Sequence, residues 1–321
     1  MYEQFIKKTH EADTVAVFMH INPDGDCVGS ALALYAYLTN MGKTAHCFLE
    51  PNNKLKENLM FLPYIDVINA ASLKKYDLAI AVDCGSASRM GNQSYERFLQ
   101  ADDQLSIDHH ESGELFAKDT ILETDAASTT QILYKIFKET DPELIDKDIA
   151  TLLFAGLMTD TGCLSYSSVK CDTYKIASEL CRYGIDNFFI IKKLFKENSL
   201  SVFALKNRVL DNMKLYLDNK LGIISFLQAD YDATGAVPED TEGIINNVID
   251  INEVKVAISV AEIREGAYKI GIRSKDEVNS AQIAGKFGGG GHFYASGCRI
   301  YDEYSKTIER LIEATRAVLD D

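Results

Sequence analysis

In the first half of the chain, short runs rich in β-branched and apolar residues alternate with longer segments of helical period. Thr14–His20, Leu78–Val82 and Gln104–Ile107 read as strands, while Gly29–Met41 (ending at Gly42) and Ser128–Glu139 read as helices. Such alternation predicts βαβ units around a parallel sheet. From Asp146 to about Lys214 the period turns almost wholly helical, over Asp148–Met158, Asp172–Tyr183, Asp186–Phe195 and Ser199–Asn212. Two strand pairs follow, Met213–Leu217 with Leu221–Leu227 and Val254–Ile263 with Ala267–Ile272. Gly288–Gly291 then reads as a glycine-rich loop and Asp302–Leu319 as a last helix. The predicted fold class is α/β with two domains: a parallel-sheet domain over 1–195, a helical connector over 196–214 and a smaller α/β domain over 215–321.

Composition narrows the classes. The 321 residues are 46% hydrophobic and 25% charged, as in ordinary globular chains, which argues against a disordered or fibrous protein. The apolar run Ile149–Thr159 is far shorter than the roughly 20 residues a membrane span needs, and charged residues crowd the amino terminus where a signal peptide would be apolar. Seven cysteines without a C-x-x-C pair fit a reducing cytoplasm and no disulfide or zinc framework. The net charge of −15 would repel long nucleic acid, so a nucleic-acid partner is expected to be short or held at a local patch.

Chemistry concentrates where apolar runs stop. Thr14–Met19 runs into His20-Ile-Asn-Pro-Asp24-Gly-Asp26, Leu78–Val82 into Asp83, and Gln104–Ile107 into Asp108-His109-His110. A fourth run, Leu152–Met158, ends in Thr159-Asp160-Thr161-Gly162. Singly, each is a common turn or cap. Together they would converge outside the carboxyl ends of a parallel sheet, where that much buried charge needs a counter-ion. Imidazole plus carboxylate suits Mn²⁺, or alternatively Fe²⁺, Co²⁺ or Mg²⁺. Asp24, Asp26, Asp83 and Asp160 carry the four negative charges that two divalent ions would balance.

His20-Ile-Asn-Pro-Asp-Gly-Asp-Cys-Val-Gly-Ser30, Asp83, Asp108-His-His110 and Gly156-Leu-Met-Thr-Asp-Thr-Gly162 resemble the four motifs of DHH phosphoesterases. Gly288-Gly-Gly-Gly-His-Phe-Tyr-Ala-Ser-Gly297 resembles the signature of their DHHA1 substrate domain. The resemblance is greatest to the nanoRNase/pAp-phosphatase branch. It implies that His20 and Asp24 hold one ion, that Asp26, His109 and Asp160 hold the other, and that Asp83 bridges them. Asp108 would orient a histidine from behind, and His110 would face the scissile phosphate. Cys27, Cys84, Gly113 and Ser296 depart from common family residues without touching a proposed ligand. The two cysteines read as small buried fillers.

The glycine run is neither a P-loop nor a dinucleotide fingerprint. Gly289, Gly290 and Gly291 would instead let backbone N–H groups approach an anion, with His292 beside them. Between Lys255 and Arg299, seven Lys/Arg face four acids, a window of +3 against −18 elsewhere. Within it Arg273-Ser274 looks like the family's phosphate-reading pair, and Arg89 is a further candidate. The expectation is a cytoplasmic, manganese-dependent phosphoesterase with two divalent ions, its site in the cleft between the domains. It would trim short oligoribonucleotides to mononucleotides and/or convert 3′-phosphoadenosine 5′-phosphate (pAp) to AMP. A pApA or cyclic di-AMP phosphodiesterase is the alternative, and a non-catalytic nucleotide-binding module stands in a different class. No membrane partner is expected, and homodimerisation is left open.

Overall fold

The computed structural model describes residues 2–110, 115–241 and 243–320, so Gly113 lies outside the described residues. The chain divides into two units, Met1–Glu197 and Asn198–Asp321. The first runs α1 (Glu3–Glu11), β1 (Thr14–Phe18), α2 (Gly25–Asn40), β2 (Thr44–Phe48), β3 (Leu78–Val82), α3 (Ala87–Met90) and α4 (Asn92–Leu99). It continues with β4 (Asp103–Asp108), β5 (Asp119–Leu122), α5 (Thr129–Thr140), α6 (Lys147–Asp160), α7 (Cys171–Cys181) and α8 (Asn187–Phe195). The five strands pair in parallel in the order β2-β1-β3-β4-β5. The chain reverses direction across the sheet between β1 and β3, which opens a crevice at the carboxyl ends of those strands.

Alternating residues serve two cores. Val15, Val17, Ile80, Val82, Leu105 and Ile107 face a large cluster that also buries residues of α2, α5 and α6. Ala16, Phe18, Ala79 and Ala81 face a smaller one, where Phe18 stacks on Phe48 at 5.2 Å and meets Phe98 of α4 edge-on at 5.7 Å.

Three elements escape the sequence pattern. β2 alternates, but the residues it buries beside Thr44 and His46 are the small Ala45 and Cys47 before Phe48, and β5 is a four-residue edge strand with no fully buried position. The helix read from Gly29 begins four residues earlier at Gly25, behind an Asp24 cap that accepts from the N–H groups of Asp26 and Cys27. Glycine, a poor helix former, hides that first turn in the sequence. It is present for packing. A Cβ at Gly29 would sit 2.6 Å from the Leu152 carbonyl oxygen, and one at Gly156 would sit 2.4 Å from Thr130 Cγ2 and 2.9 Å from Asp26 Oδ1. Bare backbone at these positions lets α2, α5 and α6 close on one another around Asp26.

The second unit contains α9 (Leu200–Asp211), β6 (Lys214–Tyr216), β7 (Leu221–Phe226), α10 (Gln228–Thr234), α11 (Asn246–Ile249) and β8 (Val256–Arg264). After these come β9 (Ala267–Ser274), α12 (Ser280–Gly285), β10 (Gly290–Gly291), β11 (Ala295–Tyr301) and α13 (Tyr304–Leu319). Its sheet has the order β10-β11-β9-β8-β7-β6, antiparallel except between β7 and β8. The helix read as a connector is a layer of this unit: Leu205 and Val209 pack with Ile224, Phe226 and Tyr231, and Arg208 Nε meets Asp230 Oδ1 at 2.7 Å. Gly288–Gly291 is not simply a loop either, because Gly290 and Gly291 pair with Gly297 and Ser296. Among the described residues no helix is long and apolar enough to cross a membrane.

Close packing at Gly156 makes a direct prediction. Gly156→Ala should overpack the α5–α6 contact and lower unfolding free energy in urea by about 1–3 kcal/mol. Gly285→Ala, in a helix with nothing within 4 Å of the new Cβ, should be neutral or stabilising by up to about 1 kcal/mol. Equal effects of the two substitutions would contradict the packing role.

Candidate metal centre

His20, at the end of β1, is buried, and its Nδ1 lies 2.8 Å from the Ile21 carbonyl oxygen and 3.2 Å from Arg89 Nη2. The shorter contact is to an acceptor, so Nδ1 carries the proton and Nε2 presents its lone pair to Asp83 Oδ2 at 3.6 Å. Burial outweighs the pull of Asp24 and, with Arg89 adding to it, holds the ring's pKa below its ordinary value. Neutral imidazole is the form that binds metals. His109, after β4, repeats the arrangement. Its Nδ1 faces the Ala126 carbonyl oxygen at 3.4 Å, and its Nε2 faces Asp160 Oδ2 at 3.2 Å and Asp83 Oδ1 at 3.6 Å. A histidine fixed through one nitrogen by a carbonyl, with the other aimed at carboxylates, is the usual preparation of a metal ligand.

Asp83 stands between the two histidines. It follows β3 with a left-handed backbone (φ 55°), a conformation that costs a non-glycine residue about 1–3 kcal/mol and that clusters at functional sites. Its N–H donates to the Ile107 carbonyl, and its two oxygens face opposite ways, Oδ2 to His20 and Oδ1 to His109. Burial, then the charges of Asp26 and Asp24, push its carboxyl pKa well above the usual range. Asp160, the last residue of α6, is pushed up in the same way by burial and by Asp26 and Asp83. Burial also raises Asp26.

Donor atoms fall into three overlapping groups, each spanning no more than 4.8 Å: His20, Cys27 and Asp83; Asp83, His109 and His110; and Asp26, His109 and Asp160. Among the described residues the ion pairs of Asp83 and Asp160 are all with histidine. Crowded oxygen and imidazole donors without a lysine or arginine counter-charge fit a hard or borderline divalent cation. Asp24 stands outside these groups. The structure uses one of its oxygens as the α2 cap, and its charge reaches His20 and Asp83. Cys27 is fully buried, accepts the His20 N–H at 3.3 Å, and is held protonated by burial and the Asp83 charge.

Asp108 is a member of none of these groups and instead braces two of their histidines. Its Oδ1 accepts from His110 Nδ1 at 2.7 Å and from the His109 N–H at 2.8 Å. Burial would raise its pKa, but these contacts hold it below the ordinary value. Burial would likewise lower His110, yet the Asp108 hydrogen bond and the Asp83 charge push it up to about 9.

Ser128, Thr129 and Thr130 are working residues that the sequence shows only as the start of a helix. Ser128 caps α5 through the Gln131 N–H. Asp26 then accepts from Thr129 N at 2.7 Å, Thr130 N at 3.0 Å and Thr130 Oγ1 at 2.6 Å, while Thr129 Oγ1 donates to Asp83 Oδ1 at 3.1 Å. The positive end of α5 thus holds the Asp26 carboxylate, and one threonine ties it to Asp83.

In the second unit, Arg273 lies on β9 and donates from Nη1 to its neighbour's carbonyl at 3.2 Å. The Ser274 hydroxyl donates to the Val278 and Phe293 carbonyls, so it also fastens a loop. The glycine run is also partly structural. Gly288 and Gly289 donate their N–H groups to Gly285 and Ala284, and a Cβ at Gly289 would strike the Gly297 carbonyl oxygen at 2.2 Å. His292 is exposed just past the run. Three of the seven cations in the basic window serve the fold: Lys255 pairs with Asp276, Lys275 caps the Ile249 and Ile251 carbonyls, and Lys286 caps Ala314. Lys269 and Arg299, however, sit directly opposite each other across β9 and β11. Like charges so placed destabilise a sheet, and an anion would relieve them.

A family model of the DHH family, N-terminal domain, matches residues 14–157, and a DHHA1 domain model matches residues 222–321. The chain carries a DHH domain followed by a DHHA1 domain. DHH proteins are divalent-metal-dependent phosphoesterases, and this one is a hydrolase of phosphoester bonds. It is 28% identical over 310 residues to a bifunctional oligoribonuclease and PAP phosphatase of Thermus thermophilus, covering 95% of this chain and 90% of that one. A Bacillus subtilis protein of the same name is 24% identical, over 97% of both chains. A solved exopolyphosphatase-related protein of Bacteroides fragilis, 28% identical, superposes with a TM-score of 0.91 over 98% of this chain and 95% of that one.

The raised Asp83 pKa fixes a pH dependence. A carboxyl whose folded pKa is raised contributes stability that is full below its unfolded value, about 3.9, and is lost as pH rises through the folded value. In chelator, Asp83→Asn should therefore melt above wild type at pH 8 by a few degrees, at about 2–4 °C per kcal/mol, and the gap should close toward pH 4. Excess Mn²⁺ should reverse the order at pH 8. A difference independent of pH and metal would remove Asp83 from the centre.

Proposed function

We propose that this hydrolase uses two divalent ions, manganese in the cell, to trim short oligoribonucleotides to mononucleotides and to convert pAp to AMP. The observation that carries the two-ion reading is Asp83, whose oxygens face His20 on one side and His109 on the other. His20 and Asp24 would hold one ion and Asp26, His109 and Asp160 the second. When bound, the ions supply charge for the phosphoryl oxygens and acidify water near neutral pH.

The chain's own residues complete the reaction. Water attacks phosphorus and releases a proton to solvent, the bond to the leaving oxygen breaks, and that oxygen needs a proton. His110, oriented through Nδ1 by Asp108, whose hydrogen bond favours the charged ring, delivers it from Nε2. Arg89, beside His20, meets a phosphate oxygen at the rim. In the second unit Arg273, His292, Lys269 and Arg299 grip the rest of the substrate as a cationic patch on an otherwise acidic chain. The names of the Thermus and Bacillus relatives support this substrate class. A second reading, cleavage of pApA or cyclic di-AMP, is favoured by a cyclic-di-AMP phosphodiesterase of Listeria monocytogenes. That protein is 24% identical over 96% of this chain, and the match covers 48% of its own length.

A turnover panel with Mn²⁺ separates these readings: pAp, pApA, cyclic di-AMP, RNA from 2-mers to 20-mers, and a small chromogenic diester. Dimers to pentamers should be cut faster than 20-mers, with the gap narrowing at high salt as repulsion is screened. Arg273→Ala should lose about 1.5–3 kcal/mol of a charge-assisted contact, or roughly 10- to 150-fold in kcat/KM on pAp. The chromogenic diester should change little. Equal loss on both substrates would place Arg273 in the catalytic centre, and equal rates on 2-mers and 20-mers would refute the short-substrate reading.

A further inference from the structure

The turn that joins β10 to β11 breaks the usual rule for its kind. His292 and Ala295 close it by exchanging backbone hydrogen bonds, at 2.8 and 3.3 Å, which leaves Phe293 and Tyr294 as the two tip residues. Such tips ordinarily carry glycine, asparagine or aspartate. Here they carry two large rings, 44% and 40% exposed, edge to face at 4.8 Å. The rings do not anchor the tip in a core, and its backbone needs no such anchor. The Phe293 carbonyl accepts from Ser280 N at 2.7 Å and Ser274 Oγ at 3.3 Å, the Tyr294 carbonyl accepts from Ser274 N at 3.1 Å, and the His292 carbonyl accepts from Ser280 Oγ at 3.2 Å. Both serines are buried. Two aromatic rings are thus held on a pinned support, with little conformational freedom left to lose on binding. Ser274 directly follows Arg273, and Ala295 sits opposite Arg273 in the sheet. A local rule broken without a packing gain marks a working position.

We propose that Phe293 and Tyr294 form a platform on which a nucleobase of the substrate stacks, while Arg273 takes the adjoining phosphate. This rests on the nucleotide reading above and deepens it, because the platform selects substrates that carry a base over bare phosphate chains or sugar phosphates. Every base offers a π face, so such a platform tolerates sequence, as an enzyme that consumes short RNAs of any composition requires. A polyphosphate, which has no apolar face, would gain nothing from it.

The test uses the full chain with Mn²⁺ and compares pAp with ribose 3′,5′-bisphosphate, which keeps both phosphates and lacks the base. Stacking is worth about 1–3 kcal/mol per base, or about 5- to 150-fold on the scale of 1.36 kcal/mol per decade. Wild type should prefer pAp by a factor in this range, mainly through KM. Phe293→Leu/Tyr294→Leu keeps apolar bulk at exposed positions and should collapse that preference, whereas Phe293→Tyr/Tyr294→Phe should keep it. In chelator, the bisphosphate of 2-aminopurine riboside should be quenched on binding to wild type and not on binding to the leucine variant. An unchanged preference in the leucine variant, or quenching that survives it, overturns the platform and leaves the nucleotide reading standing. Failure of wild type to cleave pAp or short RNA overturns both.

Discussion

The carboxylates of Asp26, Asp83 and Asp160 are crowded at the ends of a strand and two helices, where burial raises the pKa of all three and the charge of Asp26 raises Asp83 and Asp160 further. Folding gathers like charges where little water reaches them, and among the described residues the ion-pair partners of Asp83 and Asp160 are histidines. Much of the first unit can be understood as tolerance of this arrangement. Bare backbone at Gly29 and Gly156 brings three helices together around Asp26, the amino end of α5 donates three hydrogen bonds to it, and a left-handed residue turns Asp83 toward both histidines. None of these devices neutralises the charge. A divalent cation would, and DHH phosphoesterases depend on one.

The second unit answers a different problem with opposite charge. Its sheet places Lys269 against Arg299 and leaves Arg273 nearby, an arrangement that makes sense when a phosphate is part of the structure. Several residues that look like ligand contacts in the sequence are occupied in making the scaffold. Ser274 fastens a loop, Gly289 permits two strands to touch, and three lysines cap carbonyls or pair with acid. In the function proposed above, the remaining cations and the aromatic tip are what the unit offers to its substrate.

The parallel sheet and the helices were legible because strands buried on both faces read as unbroken apolar runs, and because each motif fell where such a run stopped. β2 and β5 were not, since β2 marks its buried side with the small Ala45 and Cys47 and β5 has no fully buried position. Asp-His-His is three adjacent polar residues whose separate roles come only from the family resemblance, and in space Asp108 turns back to His110 while His109 joins Asp26 and Asp160. The Ser128–Thr130 segment has an unremarkable capping signature, and only the fold reveals that its donors serve a carboxylate about one hundred residues away, Thr129 and Asp26 being 103 apart. Asp24 combines a cap with a proposed ligand role, two duties that sequence cannot separate.

Anomalous diffraction from crystals grown with Mn²⁺ bears most directly on the central claim, that Asp83 joins two ions in this cluster. Two manganese peaks should appear about 3.5–4 Å apart, one beside His20, the other beside His109 and Asp160, with one Asp83 oxygen on each. A single ion that leaves Asp83 uncoordinated, or manganese bound elsewhere with the cluster bare, would contradict it.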